Sequence, residues 1–168
     1  MAGDRVVAMN WQLYSVVEGR SIDDDCTILT RFAGGATGII AASQIAVGEG
    51  NGLTLRIYGE AGALRWRQET PDRLELLAPD GTTTTLWGGT GAIGADGQAA
   101  TRLPGGHPEG YLEAFANLYR DMARMLRGVE APLLPTIDDG VRSMAFVEAS
   151  IHGNDRGWAD FAARGRAL

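Results

Sequence analysis

The chain has 168 residues, 45% apolar and 21% charged, which is enough for one well-formed core and excludes a compositionally disordered segment. Its formal net charge is −6, and an acidic balance with scattered arginines argues against a nucleic-acid partner, which needs a concentrated basic face. All 15 basic residues are arginine, so this chain holds no lysine nucleophile, Schiff base or lysine general acid.

The first hundred residues read as strands and turns. Val6 to Val17 suits an extended lead-in strand. "TILTRF", Thr27 to Phe32, alternates Ile28, Thr30 and Phe32 against Thr27, Leu29 and Arg31. The turn "AGGA" follows, with Gly34 and Gly35 free to take positive φ, and "TGIIAASQIA" resumes an extended run, so these two strands form a hairpin. "LTLRIYG" puts Leu53, Leu55 and Ile57 inward and Thr54, Arg56 and Tyr58 outward, and "ALRWRQ" returns after the turn "EAG". Arg73 to Leu77 and Thr82 to Trp87 flank "PDG", another turn. Strands joined this tightly are antiparallel, because a parallel connection needs a crossover of about a dozen residues.

After Pro108 the period changes to that of a helix. Phe115, Leu118, Tyr119, Met122, Met125 and Leu126 share a face, Pro108 and Glu109 are its expected first residues, and Gly128 is the stop. Thr136 caps a second helix with Asp139 three residues on; Val141, Met144, Val147 and Ile151 line it, and Gly153-Asn154 ends it. "GWADF" offers a short closing strand. Strands followed by segregated helices predict an α+β domain: one large, mostly antiparallel sheet with helices on one face and the other face open to a partner.

"GGTGAIGADG" holds G-x-G-x-x-G at Gly89, Gly91 and Gly94, with Glu109 twenty residues after Gly89. A dinucleotide loop requires a strand before it and a helix after it, since pyrophosphate rests on that helix's N–H groups. Gly97 is expected to interrupt any helix here and Pro104 follows, so the stretch reads as a surface loop with no cofactor bound to it.

"RLPGGHPEGYLEAF", Arg102 to Phe115, is the most site-like segment. His107 stands on a glycine hinge before a helix, with an imidazole able to donate or accept near neutral pH. Its structural alternative is to cover the helix end, while Glu109 complements the dipole and Tyr111 packs. Asp23-Asp24-Asp25 reads as a solvated turn rather than a metal cluster, because neighbours in an extended strand face opposite ways. Arg56, Arg65 and Arg67 with Trp66 read as a cation–π ladder, His152 as a helix-surface residue, and Ser43 lacks a nucleophile elbow. Cys26, the only cysteine, reads as a small packed residue. No apolar run nears the roughly 18 residues of a membrane span, and "MAGDRVVAMN" lacks a signal peptide's features, so a cytoplasmic protein without a membrane partner is expected.

Three blocks carry a family resemblance: "DDDCTILTRFAGGATGIIAASQIAVGEGNGLTLRIYGEAGALRW", "TRLPGGHPEGYLEAFANLYRDMA" and "PTIDDGVRSMAFVEASIHGNDRGWADF". In this order they resemble the C-terminal domain of the Gfo/Idh/MocA oxidoreductases. The resemblance implies a sugar, inositol or related polyol substrate, oxidised or reduced by hydride exchange with NAD or NADP. It also implies that the open sheet face forms a homo-oligomer interface. The family's Rossmann fold, its E-K-P lysine and its D-x-x-x-H segment are not in this sequence. The expectation is therefore a single C-terminal substrate and oligomerisation domain over residues 1–168, a fragment inactive alone, with no catalytic residue, cofactor or metal of its own. From the G-H-P-E-G-Y block, His107 is the expected substrate contact, with Arg102 and Tyr111 as second choices. The alternative is a free-standing, non-catalytic interaction module with the same sheet; a hydrolase or isomerase around His107 lacks a paired acid or nucleophile.

Overall fold

Eleven elements follow one another among the described residues, which in this computed structural model are 4–153 and 157–161. Seven strands come first: β1 (Val6–Tyr14), β2 (Asp25–Phe32), β3 (Thr37–Ser43), β4 (Thr54–Gly59), β5 (Gly62–Arg67), β6 (Arg73–Leu77) and β7 (Thr83–Trp87). Helices α1 (Ala95–Ala100), α2 (Tyr111–Leu126) and α3 (Ile137–His152) follow, and the short strand β8 (Ala159–Asp160) closes the order. Every paired strand is antiparallel. The α+β class is as the sequence implies, but the strands divide between two four-stranded sheets, β3-β2-β1-β8 and β4-β5-β6-β7, rather than one. Between β3 and β4 the chain turns through Gly48 and Gly50, both at positive φ, and the two strands do not pair. The chain separates into two compact units, one of Met1–Gly48 with Pro135–Leu168, the other of Glu49–Leu134.

In the first unit, the alternation of β1 and β2 sends Met9, Trp11 and Ile28 into the core, with Met9 fully buried. Trp11 sits opposite Ile28 and Met9 opposite Thr30. Phe146 of α3 and Phe161 add to this cluster and meet edge to face at 5.9 Å. Cys26 packs at its margin, the role its lone occurrence suggests. Helix α3 begins with the expected box: Asp139 N–H donates to Thr136 Oγ1 at 3.3 Å and Thr136 N–H to Asp139 Oδ2 at 2.7 Å. It ends at His152 with Gly153 as cap, where the Trp11 indole lies so close that a Cβ would overlap it. Asn154, the other half of the expected stop, lies outside the described residues. The opposite sheet face carries the row Asn10, Leu29, Ile39, with Ile39 74% exposed.

One local expectation is corrected in this unit. Asp24 is not solvated: it is 3% exposed, its Oδ1 accepts from Val16 N–H at 2.8 Å, and its Oδ2 accepts from Val17 N–H at 3.1 Å and from Arg20 at 3.2 Å. The acid thus fastens the β1–β2 connection to itself. In the β2–β3 turn only Gly35 takes positive φ; Gly34 instead donates its N–H to the Asp4 carboxylate at 3.1 Å.

In the second unit, the register aligns Leu55, Trp66, Leu74 and Leu86 across all four strands, forming one apolar face. Only part of it is covered: Leu55, expected inward, stays 56% exposed. Arg56, Arg65, Arg67 and Glu75 occupy the other face, because successive side chains alternate. That corrects the expected cation–π ladder: Trp66 points away from Arg65 and Arg67, and Arg65 instead bonds Glu75. The observed cation–π contacts are Arg73 over Trp87 and, in the first unit, Arg31 over Trp158, each at 4.0 Å. Gly128 stops α2 as expected, at φ 72°; its N–H donates to Met125 O and that of Val129 to Arg124 O, both at 2.9 Å.

Candidate functional site

The glycine-rich stretch has one feature the sequence reading did not expect. Gly97 does not interrupt helix formation; it lies inside α1, for which Gly94 is the N-cap. Six residues make less than two turns, however, and β7 before it is the edge of an antiparallel sheet rather than part of a βαβ unit. The loop is occupied with its own contacts. Gly105 N–H donates to Gly89 O at 3.1 Å, Thr90 Oγ1 to Trp87 O at 2.7 Å, and Gln98 Nε2 to Thr90 O at 2.6 Å. Gly89, at φ 70°, lies against the Leu103 carbonyl and Gly105 backbone, leaving no room for a side chain or a pyrophosphate on that side. The residues present do not fit a dinucleotide.

The segment after α1 builds a more definite constellation. Both oxygens of Glu109 accept from Arg102 N–H, at 2.8 and 3.0 Å, and Oε2 also accepts from Leu103 N–H at 3.0 Å. Pro108 and Glu109 are therefore not the first helical residues; Glu109 is a loop clamp, and α2 starts at Tyr111 with Gly110 as N-cap. Gly110 donates its N–H to Glu113 Oε2 at 2.8 Å, and this bond, with others, holds the Glu113 carboxyl below the usual glutamate range. Pro71 packs on the α-carbon of Gly110 so closely that a Cβ there would lie 2.6 Å from Pro71 Cγ.

Within the clamped loop, His107 is exposed and its Nδ1 lies 3.1 Å from Pro104 O. A carbonyl only accepts, so Nδ1 carries the proton in that bond and neutral His107 presents Nε2 as its acceptor.

These residues surround a cavity of about 570 Å³, contained within the second unit. Trp66, Leu74 and Leu86 line it from the sheet, and Phe115 and Asn117 from α2. Trp66 is fixed there by donation from Nε1 to Pro71 O at 3.0 Å. His107 and Tyr111 both line the cavity, as do Glu109 and Glu113. Tyr111 is 67% exposed and its ring tilts against Phe115 at 5.0 Å. Arg102 is not among the lining residues: its guanidinium Nη1 donates to Glu113 O at 3.0 Å, across the first turn of α2.

The sequence reading named neither Trp66 nor Asn117 for this site. Asn117 had a signal: it lies four residues after Glu113, on the same helical side and next to the apolar stripe. Trp66 had none until the strand register was known.

The architecture is one found in oxidoreductases. Over 96% of its length the chain superposes on 47% of an oxidoreductase from Sinorhizobium meliloti, at 35% identity and a TM-score of 0.89. It also matches, over 96% of its length and 45% of the other's, an inositol dehydrogenase homolog from Azotobacter vinelandii complexed with NADH and myo-inositol, at 27% identity and a TM-score of 0.85. Among curated proteins it is 25% identical, over 150 residues, to the uncharacterized oxidoreductase YfiI of Bacillus subtilis, covering 83% of this chain and 38% of that one. Residues 1–65 match the family model described as the GFO/IDH/MocA C-terminal domain. The chain spans less than half the length of each of these relatives.

Proposed function

We propose that this chain is the substrate-side and oligomerisation domain of a cytoplasmic NAD(P)-dependent dehydrogenase acting on a sugar, an inositol or a related polyol. One observation carries the reading: nearly the whole chain is similar in fold and sequence to a homolog solved with NADH and myo-inositol. The nicotinamide cofactor is held by other polypeptide, because the Gly89–Gly94 loop does not accommodate it. This domain's part is binding: His107 and Tyr111 meet the substrate at the cavity, and Arg102 supports them by anchoring the first turn of α2. The open sheet faces are the surfaces through which copies of the protein associate.

The test has two arms. The isolated chain, titrated with NADH and NADPH by fluorescence or calorimetry, is expected to show no saturable binding; micromolar affinity for either would refute the division of labour. The full dehydrogenase, assayed with NAD+ and NADP+ on cyclic polyols and sugars, is expected to reduce the cofactor. Absence of turnover across that substrate class would refute the assignment.

A further inference from the structure

We infer that the outward face of α2 is a docking surface for the cofactor-carrying half of the dehydrogenase, the polypeptide that lies beyond this chain. This rests on the reading above that the chain is one domain of a longer enzyme. Helix α2 is mounted with its apolar side outward. At 100° per residue, Leu112, Leu118, Tyr119, Met122, Met125 and Leu126 fall within roughly 140° of arc. Each is exposed, from 42% at Leu118 to 76% at Leu112 and Leu126. The buried residue of the helix is instead a carboxylate, Asp121.

The polar side is fastened in place. Asn117 Nδ2 donates to Ala100 O at 2.8 Å, Arg120 Nη1 to Ala99 O at 2.6 Å, and Arg124 Nη2 to Glu130 O at 3.1 Å. Arg120 Nε also donates to Asp121 Oδ1 at 2.9 Å. Rotating the helix to bury its stripe would break the three bonds to main-chain carbonyls. The stripe therefore stays outward, and a contiguous apolar surface of this kind marks an interaction site.

Three features choose the occupant. The stripe is apolar at three positions in seven, broader than the two-in-seven seam of a helix paired with its own copy, and suited to the surface of a folded body. Met122, Met125 and Tyr119 give it the methionine and aromatic content of interface cores. The chain spans 47% and 45% of the two solved relatives described above, so a protein built like them has more than half of its polypeptide to supply that body. Tyr111 and Phe115, on the same side of α2, also line the cavity. A body seated on the stripe thus reaches the cavity's rim, where a cofactor has to meet a substrate.

The experiment is maleimide labelling of Tyr119→Cys, read by peptide mass and compared between this chain alone and the full dehydrogenase. Glu60→Cys, in the exposed β4–β5 turn, is the control, and the wild-type chain, with Cys26 as its one thiol, sets the background. Tyr119 is 70% exposed, so its replacement should leave the fold intact. Labelling at position 119 is expected to be at least about tenfold slower in the full dehydrogenase, with position 60 changed by less than about twofold. Equal rates at position 119 would overturn the inference. Labelling there that slows in the isolated chain as its concentration rises would give the face to a second copy and overturn it too. In a second arm, Met125→Glu should lower the urea midpoint of the full dehydrogenase while leaving that of the chain unchanged; no change in either would count against the surface. Turnover separates the two readings. A protein that protects position 119 but reduces neither NAD+ nor NADP+ keeps the docked half and loses the dehydrogenase assignment, and one that turns over with position 119 open does the reverse.

Discussion

Glu109 grips the backbone N–H of Arg102 with both carboxylate oxygens, at 2.8 and 3.0 Å, and thereby closes the loop that presents His107. The contact is local, seven residues apart, and converts a stretch with glycines at 105, 106 and 110 into a fixed turn. Glycine-rich segments lose the most chain entropy on ordering, so this loop depends on such a clamp.

Replacing Glu109 by Ala should therefore loosen the loop without unfolding the chain. Hydrogen exchange at the Arg102 and Leu103 amides is expected to accelerate by roughly an order of magnitude, with α3 unaffected. Unchanged protection at those two amides would show that the loop is held by other means.

Gly153 to Ala is expected to be costly in the other unit. A methyl there would overlap the Trp11 indole, which is 5% exposed and forms part of the small core. Overpacking of this kind destabilises by about 1–3 kcal/mol, and the urea midpoint followed by Trp fluorescence measures it. A pairing of Gly153→Ala with Trp11→Phe should recover part of the loss, because the smaller ring leaves room for the methyl.

Acid should weaken the fold partly through Asp24. The N–H of Val16, then that of Val17 and the charge of Arg20, hold its carboxyl below the usual aspartate range despite burial. A folded pKa below the unfolded one, near 3.9, gives stability that is fully present above the unfolded value and lost as pH falls through the folded value. Urea midpoints measured between pH 7 and pH 3 should thus decline less steeply in Asp24→Asn than in wild type. At pH 7 the variant should be the less stable of the two, since the charge-assisted bonds are gone. Parallel pH profiles would remove Asp24 from this account.

Association through an open sheet face is tested at the row Asn10, Leu29, Ile39 in the first unit. Sedimentation at tens of micromolar is expected to show a dimer or larger species, and Ile39→Glu to shift it toward monomer. Ile39 is 74% exposed, so the substitution should leave the melting temperature of the monomer nearly unchanged. A wild-type monomer at that concentration counts against this use of the face.

What the sequence determined by itself was local. Two-residue alternation marked the strands, the 3.6-residue stripe marked α2 and α3, and the Thr136–Asp139 pair and Gly128 marked helix ends, because each depends on neighbours a few residues away. The three blocks, in their order, carried the family resemblance, and the loop bearing His107 was visible from its glycines and proline. Tertiary structure decided the rest. That the strands form two sheets depends on which strands pair with which, and that Trp66 faces a cavity depends on registers spanning β4 to β7. Asp24 reads as solvated in sequence, and only the fold brings Val16 and Val17 N–H groups to it. Asn117 reaches the cavity lining the same way, its amide held by the carbonyl of Ala100, 17 residues away in sequence.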